Sequence, residues 1–497
     1  MAYFNHPLLT SGVVAALIIV SASILYSKYK KWKTPVHGIP LVPGAHWLLG
    51  SVNFFLSSHD GTIKSLKTLG EVFCIFVPLG PVGVVGTTTE FIDAFKDRML
   101  VTMSRTTQLT FSQFFKNGLI ALEGEQWKKH VRVLGPMMSV SSLKQAVSSM
   151  VRAVDGLTLK WKTEVDPDKP LNVEGDIKNL ALSIICDFLI GRDLSSAGGS
   201  CAHELTQHCE VLLTAVDKEV YENPLYKMIF GDRPPVRRAR KYLWGLMQEV
   251  MSECREHPEK AERHAVGRIM AAVKAEAVTF TDQELLDEIV MMLFGGSDTT
   301  AVSLMWAFKA LSAAPHVQSK LRSEIKEVLG PSPPTYDDVT QHMPYLDICF
   351  KEIMRVARTA PGCGRTLLTD YQLKGDTKAI VPKGATMMLG ISGIHMNPRY
   401  WVDPELFWPE RWEEGVGKGQ GAMGLPITPA AWAPFGAGHR GCFGQRMATV
   451  EMKVLLVQLL RSFEFSPSGD PELDNWDMVE RITTRPKNPY FKLRPLG

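Results

Sequence analysis

The sequence predicts a mainly α-helical catalytic domain with a small β portion, preceded by a membrane helix. Most of the 497 residues follow the helical spacing of apolar side chains, and strand-like runs are confined to residues 71–86 and 371–389. In the first of these, a Pro-Leu-Gly-Pro turn at residues 78–81 predicts a short hairpin. Residues 8–26 carry no charged side chain. The composition, 45% hydrophobic and 22% charged, is that of a globular protein with a large buried core.

Charge and cysteine content exclude several classes of protein. A formal net charge of +3, with no basic tail and no RNA-binding signature, predicts no nucleic-acid partner. The eight cysteines show no paired spacing, which favours a reducing compartment over a disulfide scaffold. His439 and Cys442 lack a second ligand pair nearby, so they do not form a zinc site on their own.

The N-terminal segment, residues 1–33, is predicted to be a membrane anchor. As a helix, residues 8–26 would span roughly 28 Å, close to the thickness of a bilayer core. Four lysines follow within seven residues and none precedes, which by the positive-inside rule places the rest of the chain in the cytoplasm. The alternative is a signal peptide cleaved near residues 21–23. That alternative requires positive charge before the apolar run and a shorter run.

Residues 34–50 contain three prolines and three glycines. Because proline restricts φ and removes a hydrogen-bond donor, this segment predicts a stiff, non-helical hinge between anchor and catalytic domain. Residues 51–497 would then form the catalytic domain.

Residues 124–132 predict a helix that carries Trp127 and the basic residues Lys128, Lys129 and Arg132. A positive face of this kind would suit an acidic electron-transfer protein. A solvated helix face is an equally good interpretation of any one of these lysines.

A very long helix is predicted from residue 282 onward. Thr281 and Glu284 form a capping box, and no proline follows until Pro315, so the helix would reach roughly 50 Å. In its middle, Gly295 and Gly296 together cost about 2 kcal/mol relative to alanine but allow a planar ligand to approach the backbone.

An acid and an alcohol follow these glycines. Asp298 and Thr299 suit the delivery of protons to a reacting oxygen, and the Thr299 hydroxyl can bond to the carbonyl of Gly295. The alternative interpretation is a packing groove where another helix crosses, with Asp298 exposed.

Four further candidate residues, all charged, lie between the long helix and the C-terminal region. Glu352 and Arg355 are three residues apart on one predicted helix, and Arg411 follows in a Pro-Glu-Arg-aromatic segment. The guanidinium of Arg365 can offer two parallel hydrogen-bond donors to a carboxylate. An arginine exposed at the protein surface is the alternative interpretation.

Residues 435–444, Phe-Gly-Ala-Gly-His-Arg-Gly-Cys-Phe-Gly, hold a single cysteine between glycines. A thiolate is a strongly donating ligand for iron, and the positive end of the helix predicted from residue 445 would favour it. Phe435 would shield the sulfur, and Arg440 would meet an anionic group. A lone cysteine is otherwise most often a small buried hydrophobic residue.

Four blocks, residues 295–300, 352–365, 409–412 and 435–444, resemble the cytochrome P-450 family of haem-thiolate monooxygenases in order and approximate spacing. With the anchor and the hinge, this resemblance covers essentially the whole chain. It implies a fold in which haem b, iron protoporphyrin IX, lies between the long central helix and the loop that carries the cysteine ligand.

The resemblance also implies roles for individual residues. Cys442 would bind iron, Asp298 would supply protons through solvent, and Thr299 would stabilise the activated oxygen. Val131 departs from the family pattern, in which a donor to a haem propionate stands four residues after the tryptophan, and His130 and Arg132 are candidates to replace it. The remaining assignments are cofactor contacts from Trp127, Arg132, Arg365, Phe435, Arg440 and Gly444, and a network of Glu352, Arg355 and Arg411 that supports the loop.

The implied reaction inserts one oxygen atom from O2 into a hydrophobic small molecule: a lipid, sterol, terpenoid or other secondary metabolite. The chain has no dinucleotide fingerprint, so electrons from NADPH would arrive through NADPH–cytochrome P-450 reductase, with cytochrome b5 as a second candidate donor. The expected location is the endoplasmic reticulum membrane, with a single span and a cytoplasmic catalytic domain. Alternatives are an oxidative desaturase or cyclase, a reductase-independent isomerase, and a non-catalytic haem sensor or carrier.

Overall fold

The computed structural model of the protein describes most of the predicted catalytic domain and little of the N-terminal segment. The described residues are 19–23, 26, 36–45, 51, 58–76, 82–112, 114–192, 200–221, 231–258, 263–276, 278–375, 378–413, 429–480 and 482–496. Within them the protein is mostly helical with a small sheet portion, which confirms the predicted fold class.

The helices are α1 (Ser58–Leu69), α2 (Thr89–Lys96), α3 (Arg105–Ser112), α4 (Gly124–Leu134), α5 (Val140–Glu164), α6 (Glu174–Ile190), α7 (Ser200–Tyr221), α8 (Pro234–Glu256), α9 (Ala265–Ala275), α10 (Asp282–Ser312), α11 (Pro315–Leu329), α12 (Pro344–Val356), α13 (Ile391–His395), α14 (Gln445–Ser462) and α15 (Pro471–Asp474). The strands are β1 (Val72–Phe76), β2 (Val82–Gly86), β3 (Val101–Met103), β4 (Leu171–Asn172), β5 (Cys363–Leu367), β6 (Tyr371–Gln372), β7 (Ile380–Val381), β8 (Thr386–Leu389), β9 (Phe463–Pro467), β10 (Met478–Glu480), β11 (Thr484–Pro486) and β12 (Tyr490–Pro495).

The long helix α10 forms the centre of the helical core. Its N-terminus is closed by the predicted capping box, in which Thr281 and Glu284 bond to each other's backbone N–H groups. The helix packs most extensively on α6, and Trp306 and Phe308 are fully buried along it. Among the described helices, α10 alone is long and apolar enough to span a membrane, and two thirds of its apolar window is buried inside the protein. It is therefore a core helix.

Two of the four sheets matter for the site. The larger has the strand order β1-β2-β8-β5-β3, with β2 and β8 parallel and the other neighbours antiparallel. Its β1–β2 pair is the hairpin predicted over residues 71–86, and its turn, residues 77–81, lies outside the described residues. The small antiparallel pair β10–β11 lies against α10.

The predicted hinge is partly integrated into the catalytic domain. Leu41 forms a parallel bridge with Cys74 of β1, and the N–H of Cys74 donates to the carbonyl of Pro40 at 2.7 Å. Val36, Ile39 and Val42 are buried. Of the predicted anchor, residues 19–23 and 26 are helical and exposed, and the rest lies outside the described residues.

Candidate active site

The loop that carries Cys442 is shaped by two glycines and one close approach. Gly436 and Gly438 have φ of 74° and 71°, a region that favours glycine. A Cβ on Gly438 would lie 2.0 Å from the carbonyl oxygen of Phe95 in α2. The N–H of Cys442 donates to the carbonyl of Phe435 at 2.8 Å, which closes the loop. No larger residue can therefore replace Gly438 without moving α2 or the loop.

Neighbouring protein atoms surround much of the Cys442 sulfur. The side chain retains accessible surface, yet burial raises the pKa of its thiol, and a hydrogen bond from the Gly444 backbone acts in the opposite direction. The helix α14 begins at Gln445, so its positive end also lies near the sulfur. The Gly444 hydrogen bond and the positive end of α14 both favour the thiolate once a positively charged partner is present.

Two arginines lie together here: Arg440 of the loop, which is half-buried, and Arg365, which is buried. Arg365 of β5 donates to the carbonyl of Arg440 at 2.9 Å, and Arg440 donates to the carbonyl of Leu122 at 2.9 Å. Within the described residues, Arg365 Nε and Arg440 Nη1 are buried and have no acceptor. Burial, and to a smaller extent the charge of Arg365, lowers the pKa of Arg440 to about 10, against a favourable charge from Glu123. Paired positive charges with unused donors form a binding site for carboxylates.

Trp127 packs on Arg440, and His439 packs on Trp127. The guanidinium of Arg440 lies 4.8 Å from the centre of the Trp127 ring, a cation–π distance. The Trp127 and His439 rings meet edge to face at 5.5 Å. His439 Nδ1 is a further buried atom without a partner in the part of the chain described here. Helix α4 thus brings Trp127 to the arginine pair, as the motif predicted, while His439 was not predicted.

The residues that follow Trp127 on α4 point elsewhere. Val131 packs against the hydrophobic core. His130 is fully buried, and its Nδ1 lies 2.6 Å from Glu288 Oε1 on α10. Arg132 is exposed and forms no hydrogen bond or ion pair within the described residues. The structure therefore brings neither His130 nor Arg132 to the arginine pair, and the donor missing at Val131 is not replaced from this helix.

On α10 the two adjacent glycines have different surroundings. A Cβ on Gly296 would lie 2.8 Å from Ile185 of α6, so this glycine allows the two helices to cross closely. A Cβ on Gly295 would meet no atom within 4 Å, so this glycine faces open space. The hydroxyl of Thr299 donates to the carbonyl of Gly295 at 2.7 Å. A packing groove and an open ligand face thus occur side by side on one helix.

Asp298 is partly buried beside Thr299 and is not free. Its Oδ2 accepts a hydrogen bond from the hydroxyl of Thr483 at 2.6 Å. No spacing rule predicts this contact, because Asp298 and Thr483 are 185 positions apart.

The charged residues Glu352, Arg355 and Arg411 form a buried cluster. Arg355 donates two hydrogen bonds to the Glu352 carboxylate, at 2.8 and 2.9 Å, and Arg411 adds one at 3.0 Å. All three side chains are fully buried. Burial alone would raise the pKa of Glu352, but the two guanidinium groups hold it below its usual range. The cluster is therefore an ion network in its charged form.

Aromatic rings connect this cluster to the cysteine loop. Trp412 donates its Nε1–H to the Glu352 carboxylate at 2.9 Å. The centres of the Trp412 and Trp432 rings lie 6.1 Å apart. The Trp432 and Phe435 rings in turn pack edge to face, with their centres 6.5 Å apart. Since Phe435 accepts the hydrogen bond from Cys442, the path from Glu352 to the loop is continuous.

A second connection runs through His395, which the sequence did not single out. Arg355 donates to the carbonyl of His395 at 2.9 Å, and His395 Nε2 accepts the N–H of Ala433 at 3.1 Å. Burial, together with the charge of Arg355, lowers the pKa of His395 to about 3. The imidazole is therefore neutral and can act as the acceptor for the loop.

A buried acid on α14 also escaped sequence reasoning. Glu451 is fully buried and bonds to Thr300, the residue after Thr299 on α10. Burial raises its pKa to about 8, and its Oε1 lacks a partner among the described residues. One signal was available: Glu451 interrupts an apolar run in the helix that follows the cysteine.

The sequence model of the family described as Cytochrome P450 matches residues 40–493. The chain belongs to the cytochrome P450 family. It is therefore a cytochrome P450 monooxygenase, and the family implies a haem cofactor held by a thiolate.

Known cytochromes P450 are similar over much of their length. Cytochrome P450 3A7 from Homo sapiens is 27% identical over 380 residues, which cover 72% of each chain. Cytochrome P450 4V2 from Rattus norvegicus is 25% identical, with 97% of this chain and 96% of the relative covered. Cytochrome P450 4A22 from Homo sapiens is also 25% identical, covering 98% and 94%.

The residues of this cytochrome P450 fit a haem. A flat dianionic cofactor requires a soft axial ligand, cations for two carboxylates and open space on one helix face. Cys442 meets the first requirement with a sulfur that accepts a hydrogen bond from the Gly444 backbone. The unused donors of Arg365 and Arg440 meet the second, and the open side of Gly295 meets the third.

Proposed function

We propose that this cytochrome P450 inserts one oxygen atom of O2 into a hydrophobic small molecule of the lipid, sterol, terpenoid or other secondary-metabolite type. Two electrons and two protons enter with O2, so one oxygen atom joins the substrate and the other leaves as water. The observation that carries this proposal is the Asp298–Thr299 pair beside the open side of Gly295. An acid next to an alcohol supplies the protons that such a reaction consumes.

Cys442 is proposed as the iron ligand, with Phe435 shielding the sulfur and the Gly444 backbone bonding to it. Arg365 and Arg440 would hold the haem carboxylates, with Trp127 packed on Arg440. Haem supplies the redox-active iron, whose thiolate ligand favours cleavage of the O–O bond. In this proposal the network of Glu352, Arg355 and Arg411 keeps the cysteine loop in place.

Protons would reach the site along α10. Asp298 would take up protons from solvent and pass them toward the open side of Gly295. The Thr299 hydroxyl, which donates to the Gly295 carbonyl, would offer a hydrogen bond on the open side of Gly295 after a small rotation. The loosened helix at this position would leave room for that rotation.

The electron donor would be NADPH–cytochrome P-450 reductase, with cytochrome b5 as an additional donor. The exposed basic residues of α4 support an acidic partner. Lys128 is 57% exposed and pairs only with exposed Glu125, and Arg132 is exposed without a partner in the described residues. Lys129 is 22% exposed and bonds to Glu284 of α10, so it serves the fold more than a partner.

The proposed location is the endoplasmic reticulum membrane, with residues 1–33 as a single anchor, residues 34–50 as the hinge and residues 51–497 as the cytoplasmic catalytic domain. The uncharged run at residues 8–26 and the lysines after it support this arrangement.

The decisive experiment traces the oxygen atoms of O2 into the product. Full-length protein in membranes with the reductase and NADPH is given 18O2 and substrates selected from a lipid and terpenoid library by a ligand-induced spin-state change. The expected product carries one 18O atom and forms only with NADPH. Asp298→Asn and Thr299→Ala should release peroxide in place of most of the product. Product without 18O, or without any need for NADPH, would contradict the proposal.

A further inference from the structure

The carboxylate of Asp298 is held by a residue from a distant part of the chain. Thr483 lies in the turn between β10 (Met478–Glu480) and β11 (Thr484–Pro486), and its hydroxyl donates to Asp298 Oδ2 at 2.6 Å. This is a short hydrogen bond between an alcohol and an acid, both only partly buried. No other side chain among the described residues bonds to this carboxylate.

The turn that carries Thr483 is fixed by contacts that do not involve Asp298. Trp306 of α10 donates to the carbonyl of Thr484 at 2.8 Å, and the N–H of Thr484 donates to the carbonyl of Thr359 at 3.0 Å. At the other strand, Glu480 accepts the N–H of His59 at 2.8 Å at the start of α1. These anchors determine where the Thr483 hydroxyl points, and they remain when that hydroxyl is removed.

A proton donor works only within hydrogen-bond reach of its acceptor and in a fixed orientation. A carboxylate on an unrestrained aspartate can rotate between several rotamers. The bond from Thr483 occupies Oδ2, whereas Oδ1 accepts no side-chain hydrogen bond within the described residues. The hairpin therefore orients the acid without taking part in the transfer.

We propose that Thr483 is a positioning residue that orients Asp298 for proton delivery, and that this bond sets how much O2 is converted to product instead of peroxide. The inference rests on the proposed function, since it assigns a partner to the proposed proton donor. A purely structural role for Thr483, as one more anchor of the β10–β11 hairpin, is the competing explanation.

The test compares Thr483→Val, which replaces the hydroxyl by a methyl group, with Thr483→Ser, which keeps it. We expect Thr483→Val to yield several-fold less product per NADPH, more peroxide and a larger solvent isotope effect on product formation. The spin-state titration with substrate and the spectrum of the reduced, CO-bound protein should stay unchanged. Thr483→Ser should restore coupling. Thr68→Val, which removes an exposed hydroxyl bonded within α1, is the matched control.

Asp298→Asn distinguishes a failure of the positioning role of Thr483 from a failure of the proposed proton donor. If Asp298→Asn lowers coupling while Thr483→Val leaves it at the wild-type value, the positioning role is wrong and the proposed function stands. If Asp298→Asn itself leaves coupling unchanged, the proposed proton donor is wrong. The double variant should behave as Asp298→Asn alone, because the hydroxyl then has no acid to orient.

A measurement without turnover tests the bond itself. In thermal unfolding of the full-length protein, Thr483→Val should lower the midpoint by about 1 °C, the scale of one hydrogen bond in a chain of this size. In an Asp298→Ala background the same substitution should cause no further loss. An equal decrease of the unfolding midpoint in both backgrounds would show that the Thr483 hydroxyl does not bond to Asp298. A lost substrate-induced spin-state change in Thr483→Val would favour the structural explanation.

Discussion

Buried donors without acceptors are the most informative residues of the site. Arg365 is 3% exposed, and one N–H group of Arg365 and one of Arg440 lack an acceptor in the described residues. Leaving such groups unpaired costs roughly 1–3 kcal/mol each, which a bound carboxylate would recover. We therefore propose that the two arginines act as a pair, in contrast to Arg132, which is exposed.

Arg365→Gln is expected to weaken haem retention about ten-fold or more, because a charge-assisted hydrogen bond contributes about 1.5–3 kcal/mol. The measurement is the rate of haem transfer from the purified protein to an excess of a haem-binding protein. Arg132→Gln is the matched control and should transfer haem at the wild-type rate. Equal rates for both variants would show that Arg365 does not hold the cofactor.

Cys442→Ser is expected to abolish the strongly red-shifted Soret band of the reduced, CO-bound protein, because an alcohol donates far less electron density to iron than a thiolate. Cys363→Ala is the control: its sulfur would lie 3.6 Å from a Cβ on Gly436, close to the loop but outside the proposed ligand role. A red-shifted band that survives in Cys442→Ser, or vanishes in Cys363→Ala, would reassign the ligand.

At the scale of elements, α14 and α10 are joined by a buried acid. Glu451 of α14 bonds to Thr300 of α10, and burial raises its pKa to about 8. An unfolded glutamate titrates near 4.3, so between about pH 4 and pH 8 the folded protein binds the additional proton. Stability therefore falls as pH rises through this window, and it stays low above it.

The corresponding prediction concerns Glu451→Gln, which keeps the shape of the side chain and cannot ionise. The unfolding midpoint of the wild-type protein should fall between about pH 5 and pH 8, the window between the unfolded and folded pKa values, and that of the variant should fall clearly less. Calorimetry or circular dichroism at several pH values measures the difference. Glu256→Gln on exposed α8 should follow the wild-type curve. Parallel curves for wild type and Glu451→Gln would show that Glu451 does not titrate in this range.

Elements whose signals are local in the chain were predictable, and contacts across the chain were not. The capping box at Thr281 predicted the start of α10, and the Pro-Gly turn predicted the β1–β2 hairpin. Both depend on residues close in sequence. The bonds from Thr483 to Asp298 and from Ala433 to His395 join residues 185 and 38 positions apart, where no spacing rule applies. The family motifs predicted contacts between distant parts of the chain only for the residues that the motifs contain.

At the scale of the whole molecule, the boundary between hinge and domain lies inside the predicted hinge. A proline-rich segment reads as a connector because proline disfavours helix. The same extended conformation also suits pairing with a sheet edge, and Leu41 bridges to Cys74 of β1 in this way. Burial of Val36, Ile39 and Val42 packs this first part of the segment against the catalytic domain.

Truncation from the N-terminus tests this boundary. Removal of residues 1–33 should release the protein from membranes and leave its unfolding midpoint and haem content close to the full-length values. Removal of residues 1–45 should lower both, because it also removes three buried apolar side chains, at roughly 1.5–3 kcal/mol each, and the edge bonds to Cys74. Membrane flotation, thermal unfolding and the CO-difference spectrum measure the three properties. If the two truncations are equally stable, residues 36–45 are only a linker. If the shorter truncation stays on membranes, the anchor is not confined to residues 1–33.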